Sequence, residues 1–236
     1  MSIDGDLATH RDHLYKQMLT AISHDLKTPL ATVIGSLEIY RRMENALTKE
    51  KRDGLIHSAL MEAYRLDGFI TNILDITRLE SGMIRVRPET CDLGTLINDC
   101  IIQLGPRRNG CKIALQSTGS DLVRADPVLF SRALKLVLEN AVKFGGSNPE
   151  IQVAYGNDVD GVRVCISDRG PGLPPGKEEE VFSKYTRYAK ADQQSAGYGL
   201  GLAICRQLMT AQGGTVKAEN IATGGAAFTF HLPVAC

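Results

Sequence analysis

Two long apolar stripes constrain this chain more than any other feature. Leu14, Met18, Ile22, Leu26, Leu30, Val33, Leu37 and Tyr40 recur every three or four residues, and Leu66, Phe69, Ile73, Ile76 and Leu79 repeat the pattern. That spacing keeps side chains on one face of an α-helix and makes a seam for lengthwise packing. The polar break from Glu44 to Asp53 suits the turn of a helical hairpin. One hairpin of this length buries both stripes poorly against itself. The economical arrangement is a homodimer whose paired hairpins form a four-helix bundle. A monomeric helical spacer is the competing arrangement for the same stripes.

The texture changes after the stretch RLESGMIRVRPETCDL. Gly82 suits the C-cap of the second helix, and beyond it apolar runs become short and β-branched while glycines become frequent. The domain boundary falls near Arg85 to Pro88, giving a helical hairpin over 1–86 and a second domain over 87–236. In the second domain a helix is expected over Leu93 to Leu104 and a strand over Cys111 to Gln116. Asp126-Pro127 reads as an N-cap followed by proline at the first helical position, opening a helix through Phe144. Strands over Ile151 to Tyr155 and Val162 to Ser167 flank the turn-rich Asn157 to Gly161, as in a hairpin. A Gly-, Pro- and charge-rich loop runs from Asp168 to Ala196, then a helix from Leu200 to Gln212 and strands Thr215 to Glu219 and Ala227 to Leu232. Helices beside an antiparallel-leaning sheet make an α+β sandwich.

Composition narrows the function classes. The chain has 236 residues, 43% hydrophobic and 23% charged, with 27 Lys+Arg against 27 Asp+Glu. That balance fits a soluble globular protein and argues against direct nucleic-acid binding driven by general basicity. The six cysteines include no CxxC pair and none at metal-ligand spacing from a histidine, which fits idle thiols in a reducing cytoplasm. No apolar run approaches the ~20 residues of a membrane-spanning helix, and MSIDGDLATH does not open like a signal peptide. The expected location is cytoplasmic, as a separate protein or as the cytoplasmic part of a longer, membrane-bound one.

Four segments could do chemistry. In SHDLKTPL, His24 sits mid-helix among Ser23, Asp25, Lys27 and Thr28, where an imidazole is solvent-reachable and largely neutral. Asp25 is placed to orient the ring or accept its proton. Pro29 interrupts the helical hydrogen-bond ladder just beyond. A lone helical histidine is more often a surface residue, and the surrounding hexapeptide is what lifts it above that reading. In LVLENAVKFG, Asn140 and Lys143 lie three apart and share a helix face, an amide beside a cation. In SDRGPGLPPG, a strand ends and Asp168 opens a glycine turn in which Gly170 and Gly172 allow close backbone approach. In SAGYGLGLAI, Gly197, Gly199 and Gly201 lead into a helix whose first N–H groups suit phosphate. Each alone is weak, since a polar helix edge or a plain turn explains it equally well.

Taken in order, the segments resemble the histidine kinases, with SHDLKTPL similar to the H box, LENAVKF to the N box, DRGPGL to the first glycine box, VFSKYTR to the F box and GYGLGLAI to the second glycine box. The resemblance covers nearly the whole chain, and ADPVLF, PGLPPGKEEEVF and GLGLAICRQLM further resemble the KdpD-type potassium-responsive sensors. It implies a dimeric four-helix bundle followed by a Bergerat-type ATP-binding α+β sandwich. It implies ATP and Mg²⁺ as cofactors, a homodimer, and a response-regulator receiver domain as partner. His24 would accept the phosphoryl group and Asp25 would assist, before transfer to an aspartate of the regulator. Thr28 matches the position of a residue that orients water for dephosphorylating that regulator. Asn140 would help hold Mg²⁺, Lys143 would contact phosphate, and Phe144 would lie against the nucleotide. Asp168 would read the adenine amine, with Gly170 and Gly172 shaping that end of the pocket. Gly197, Gly199 and Gly201 would hinge a lid over Phe182 to Ala196 that brings Lys184 and Arg187 to phosphate.

Two departures stand out. Leu136 occupies the place of a second N-box asparagine, and Arg169 that of an asparagine in the first glycine box. Leu136 either loosens the metal site, so that phosphorylation is slow and asparagine there speeds it, or is simply core. A catalytically weak, nucleotide-binding dimeric scaffold is therefore the alternative to an active kinase. A gyrase- or Hsp90-like ATPase ranks behind both, having no use for the His24 segment.

Overall fold

The computed structural model describes residues 26–43, 46–105, 110–119, 122–146, 148–186 and 199–233. A helix over 26–43, α1, is followed by the long helix α2, Lys49–Glu80. Then come β1 Glu89–Asp92, α3 Leu93–Gln103, β2 Lys112–Ser117, β3 Leu122–Ala125, α4 Pro127–Phe144, β4 Glu150–Asp158 and β5 Gly161–Asp168. A 3₁₀ turn at Glu180–Phe182, helix α5 Gly201–Ala211 and strands β6 Thr215–Asn220 and β7 Ala226–Pro233 complete the order. The chain partitions into two compact units between Ile73 and Leu74, inside α2.

In the first unit α1 continues through Pro29. Leu30, Ile34 and Leu37 on α1 and Ile56, Leu60 and Tyr64 on α2 are exposed, each set at helical spacing. No helix among the described residues is long and apolar enough to cross a membrane.

In the second unit the main sheet runs β2-β4-β5-β7-β6. Its pairings are antiparallel except β2 with β4, so the sheet is mixed where the sequence reading leans antiparallel. The separate pair β1-β3 is a structural finding that the sequence reading does not contain. Each strand has only four residues, too few for an alternating pattern to register. Burial alternates along β4 and β5, so one face of the sheet is covered, with α3, α4 and α5 lying side by side. Phe130 of α4 meets Phe230 of β7 edge-to-face at 6.0 Å, both fully buried.

Local chemistry explains where α4 starts. Asp126 Oδ1 accepts from the Val128 and Leu129 N–H groups, each at 3.1 Å, and Pro127 takes the first position. Its Oδ2 accepts from Arg87 N–H at 2.8 Å, and its own N–H donates to Gln212 Oε1 at 3.0 Å. One buried residue thus ties the entry of the domain and the start of α4 through its carboxylate, and the end of α5 through its backbone N–H. Also within this unit, Arg132 of α4 pairs with Asp75 at 2.7 Å. Cys100 and Cys205 are buried, and burial pushes both thiols above their usual range, as suits inert side chains.

Candidate active site

Three of the sequence segments meet at one edge of the second unit. A Cβ on Gly170 would stand 2.6 Å from the Phe144 carbonyl oxygen, so the loop after β5 lies directly on the end of α4. A Cβ on Gly201 would stand 3.5 Å from a Leu136 methyl, so the start of α5 lies beside the middle of α4. Asn140 and Lys143 sit between these two contacts on α4, both half-buried, with the Lys143 ammonium 4.4 Å from the centre of the Phe144 ring.

Asp168 is the buried acid of this edge, 5% exposed. Its Oδ1 accepts from Gly170 N–H at 2.8 Å and from Ala226 N–H at 3.4 Å. Oδ2 takes neither bond. Burial raises the Asp168 pKa above the ordinary carboxylate value, and the Gly170 and Ala226 N–H groups oppose that shift only in part. Such a carboxylate is short of donors, and a ligand amine would relieve it.

The start of α5 lacks a side-chain cap. Leu200 occupies the N-cap and supplies no side-chain acceptor, so the first-turn N–H groups have no cap of the usual kind. Upstream, Tyr185 N–H donates to Gly199 C=O at 2.8 Å. Gly199 has φ +65°, and a Cβ there would stand 2.8 Å from Thr186 N, so only glycine fits. Tyr185 itself adopts φ +64°, a costly conformation for a bulky side chain. Next to it, Lys184 Nζ is ion-paired with Glu80.

Of the residues that the sequence reading selects, Asn140, Lys143, Phe144, Asp168, Gly170, Gly172, Gly199 and Gly201 belong to this edge. Thr28 lies on the described part of α1 and is exposed. His24, Asp25, Arg187 and Gly197 lie outside the described residues. Leu136 is only 3% exposed, so it packs α4 against α5. Arg169, the other departure, turns outward to Glu150 at 3.0 Å, with 70% of its side chain exposed. Asn220, Gly225 and Ala226, which contact the Asp168 loop, were not legible as site residues. The adjacent glycines Gly224 and Gly225 signal a tight turn, but nothing in the sequence says which loop that turn meets.

Comparison with known proteins accounts for this arrangement. Residues 15–82 match the His Kinase A (phospho-acceptor) domain model, and residues 125–235 match that of the histidine kinase-, DNA gyrase B- and HSP90-like ATPases. The chain is 33% identical over 231 residues to the sensor protein KdpD of Escherichia coli strain K12, covering 96% of this chain and 25% of that protein. It is 30% identical over 224 residues to the adaptive-response sensory kinase SasA of Synechococcus sp. strain JA-3-3Ab, covering 92% of this chain and 59% of the relative. It thus spans a quarter to three-fifths of the length of these relatives. Full-length ShkA, solved in complex with AMPPNP, superposes with a TM-score of 0.62 at 27% identity, over 93% of this chain and 47% of that one. With the phospho-acceptor model at one end, the ATPase model at the other, and the matching sandwich between its own α4, Asp168 loop and α5, the chain belongs to the histidine kinase family.

Proposed function

We propose that this chain is the kinase core of a two-component sensor. It phosphorylates its own His24 with ATP and passes the phosphoryl group to an aspartate of a response-regulator receiver domain. The observation that carries the reading is the convergence of α4, the Asp168 loop and the uncapped start of α5 on one edge. Residues 1–86 would be the dimerisation and phosphotransfer part and 87–236 the ATP-binding part. The two family models, over 15–82 and 125–235, support that division.

The roles follow from the chemistry of each group. Asp168 Oδ2 accepts from the adenine amine, and Gly170 and Gly172 let the backbone approach the base. The first-turn N–H groups of α5 and the Lys143 ammonium meet the phosphates. Asn140 supplies a hard amide oxygen of the kind Mg²⁺ takes. Mg²⁺, when bound, would neutralise charge on the phosphate oxygens. A His24 ring nitrogen attacks the γ-phosphorus, ADP leaves, and Asp25 takes the ring proton. The receiver aspartate then displaces the imidazole and carries the phosphoryl group away. Thr28, exposed on α1, is placed for the reverse duty of orienting water on the phosphorylated regulator. Lys184, Arg187 and Gly197 complete the phosphate side in this reading. AMPPNP in the related ShkA supports nucleotide binding. The exposed stripes on α1 and α2 support a homodimer, since large exposed apolar faces are uncommon on monomers. A cytoplasmic location fits the absence of a spanning helix among the described residues.

The leucine at 136, in place of a second N-box asparagine, motivates one second reading, a nucleotide-binding dimeric scaffold that phosphorylates slowly. One experiment addresses both. Incubation of the full chain with γ-labelled ATP should yield acid-labile, base-stable label, and His24→Gln should remove it while leaving the dissociation constant for ADP unchanged. Label persisting at normal yield in His24→Gln would overturn the assignment. Label that accumulates only over hours in the unmodified chain would favour the scaffold.

A further inference from the structure

The turn between β6 and β7 holds the Asp168 loop at both ends. At the near end, a Cβ on Gly225 would stand 1.9 Å from the Asp168 carbonyl oxygen, so the two backbones touch, and Ala226 N–H reaches Asp168 Oδ1. At the far end stands Asn220, the last residue of β6. Its Oδ1 accepts from Leu173 N–H at 2.6 Å and its Nδ2 donates to Leu173 C=O at 2.9 Å. A carboxamide that satisfies both backbone groups of one residue acts like a neighbouring strand and fixes orientation as well as position. Gly172 presses on the same carboxamide. Its φ is +77°, and a Cβ there would stand 2.6 Å from Asn220 Oδ1. The turn is itself closed by Ile221 N–H to Gly225 C=O at 3.0 Å and Gly224 N–H to Ile221 C=O at 2.9 Å. Asp168 to Leu173 is therefore a short span pinned to one hydrogen-bonded corner.

We infer that Asn220 is a positioning residue for base recognition. By holding the Gly170–Leu173 backbone it keeps Asp168 and the adenine edge in register, and so sets the preference for adenine over a purine that lacks the 6-amino group. The inference rests on Asp168 being the adenine acceptor. A mere brace of the fold would contribute stability without touching base preference, so the readout is selectivity.

The test is titration of the full chain with ADP and, separately, with inosine diphosphate, both with Mg²⁺, alongside a thermal melt. The unmodified chain should prefer ADP. Asn220→Ala should weaken ADP by about tenfold, the loss of one to two hydrogen bonds, and leave inosine diphosphate unchanged, so that the preference collapses. Asn220→Asp keeps the acceptor for Leu173 N–H and should fall between the two. It also decides the matter where the alanine variant does not fold. A lower melting temperature with an intact ADP preference in both variants overturns the inference. Asp168→Asn separates the two layers. If it leaves the preference intact, the adenine-acceptor reading fails and the inference with it. If it abolishes the preference while the Asn220 variants do not, the inference alone fails.

Discussion

The hairpin and the sandwich use apolar residues in opposite ways. Along α1 and α2, among the described residues up to Ile73, the buried apolar side chains are Pro29, Ala59 and Phe69, while Leu30 and Leu37 are 45% and 49% exposed. In the sandwich, Phe130, Phe230, Leu134, Leu138, Ile151, Ile166, Ile204 and Leu208 are all below 2%. The sandwich completes its core within one chain, as a domain of this size can. The hairpin keeps apolar side chains exposed, and the proposed homodimer would bury them against a second copy. On that proposal stability in the first region depends on concentration, whereas in the second it does not.

The sharpest way to break that contrast is to charge the hairpin. Leu30→Glu combined with Leu37→Glu should cost the dimer about 4 kcal/mol or more, roughly a thousandfold in its dissociation constant. Light scattering should then show monomers that still bind ADP normally. Retention of the dimer at micromolar concentration would place the seam elsewhere. Next in size is Leu136→Asn in the sandwich. Losing a packed Leu and burying an amide without a partner should cost about 3 kcal/mol, lowering the melting temperature by roughly 6–12 °C with no gain in phosphorylation rate. A faster enzyme with an unchanged melting temperature would restore the idea that leucine loosens the metal site.

The smallest effect probes Asp168. Its pKa in the fold lies above the unfolded value of 3.8, so ionising Asp168 costs more in the folded, nucleotide-free state than in the unfolded chain. Below that unfolded value both states are protonated and the penalty is absent. As pH rises through the raised folded value, the penalty develops in full. Asp168→Asn should therefore melt a few degrees above the unmodified protein at pH 7, with the gap closing toward pH 4. Equal melting temperatures at pH 7 would show that burial of the carboxylate is harmless. The site would in that case carry no cost that nucleotide binding has to offset.

Much was legible before any coordinates. The Asp126-Pro127 signal marks the start of α4, because an N-cap acceptor and proline's fixed φ act within a few residues. The paired strands β4 and β5, the helix α5, and the ordered segments around Asn140, Asp168 and Gly199 are equally local. The short β1-β3 pair was not legible, because four-residue strands gain their stability from a partner 30 to 36 residues away. The parallel pairing of β2 with β4 was missed for the same kind of reason, since nothing in either strand states its neighbour's direction.

Leu136 and Asn220 show where that division lies. The sequence by itself determined the helices and the longer strands, the segment order and the family, since helix periodicity, capping and glycine turns are short-range chemistry. It left Leu136 open between metal site and core, and it was silent on Asn220. Both were decided by contacts across the chain, Leu136 with Gly201 and Asn220 with Leu173, which exist only once the α4–α5 packing and the β6–β7 corner have formed. A side chain's type is written in the sequence, but what it touches depends on burial and packing, and those belong to the assembled fold.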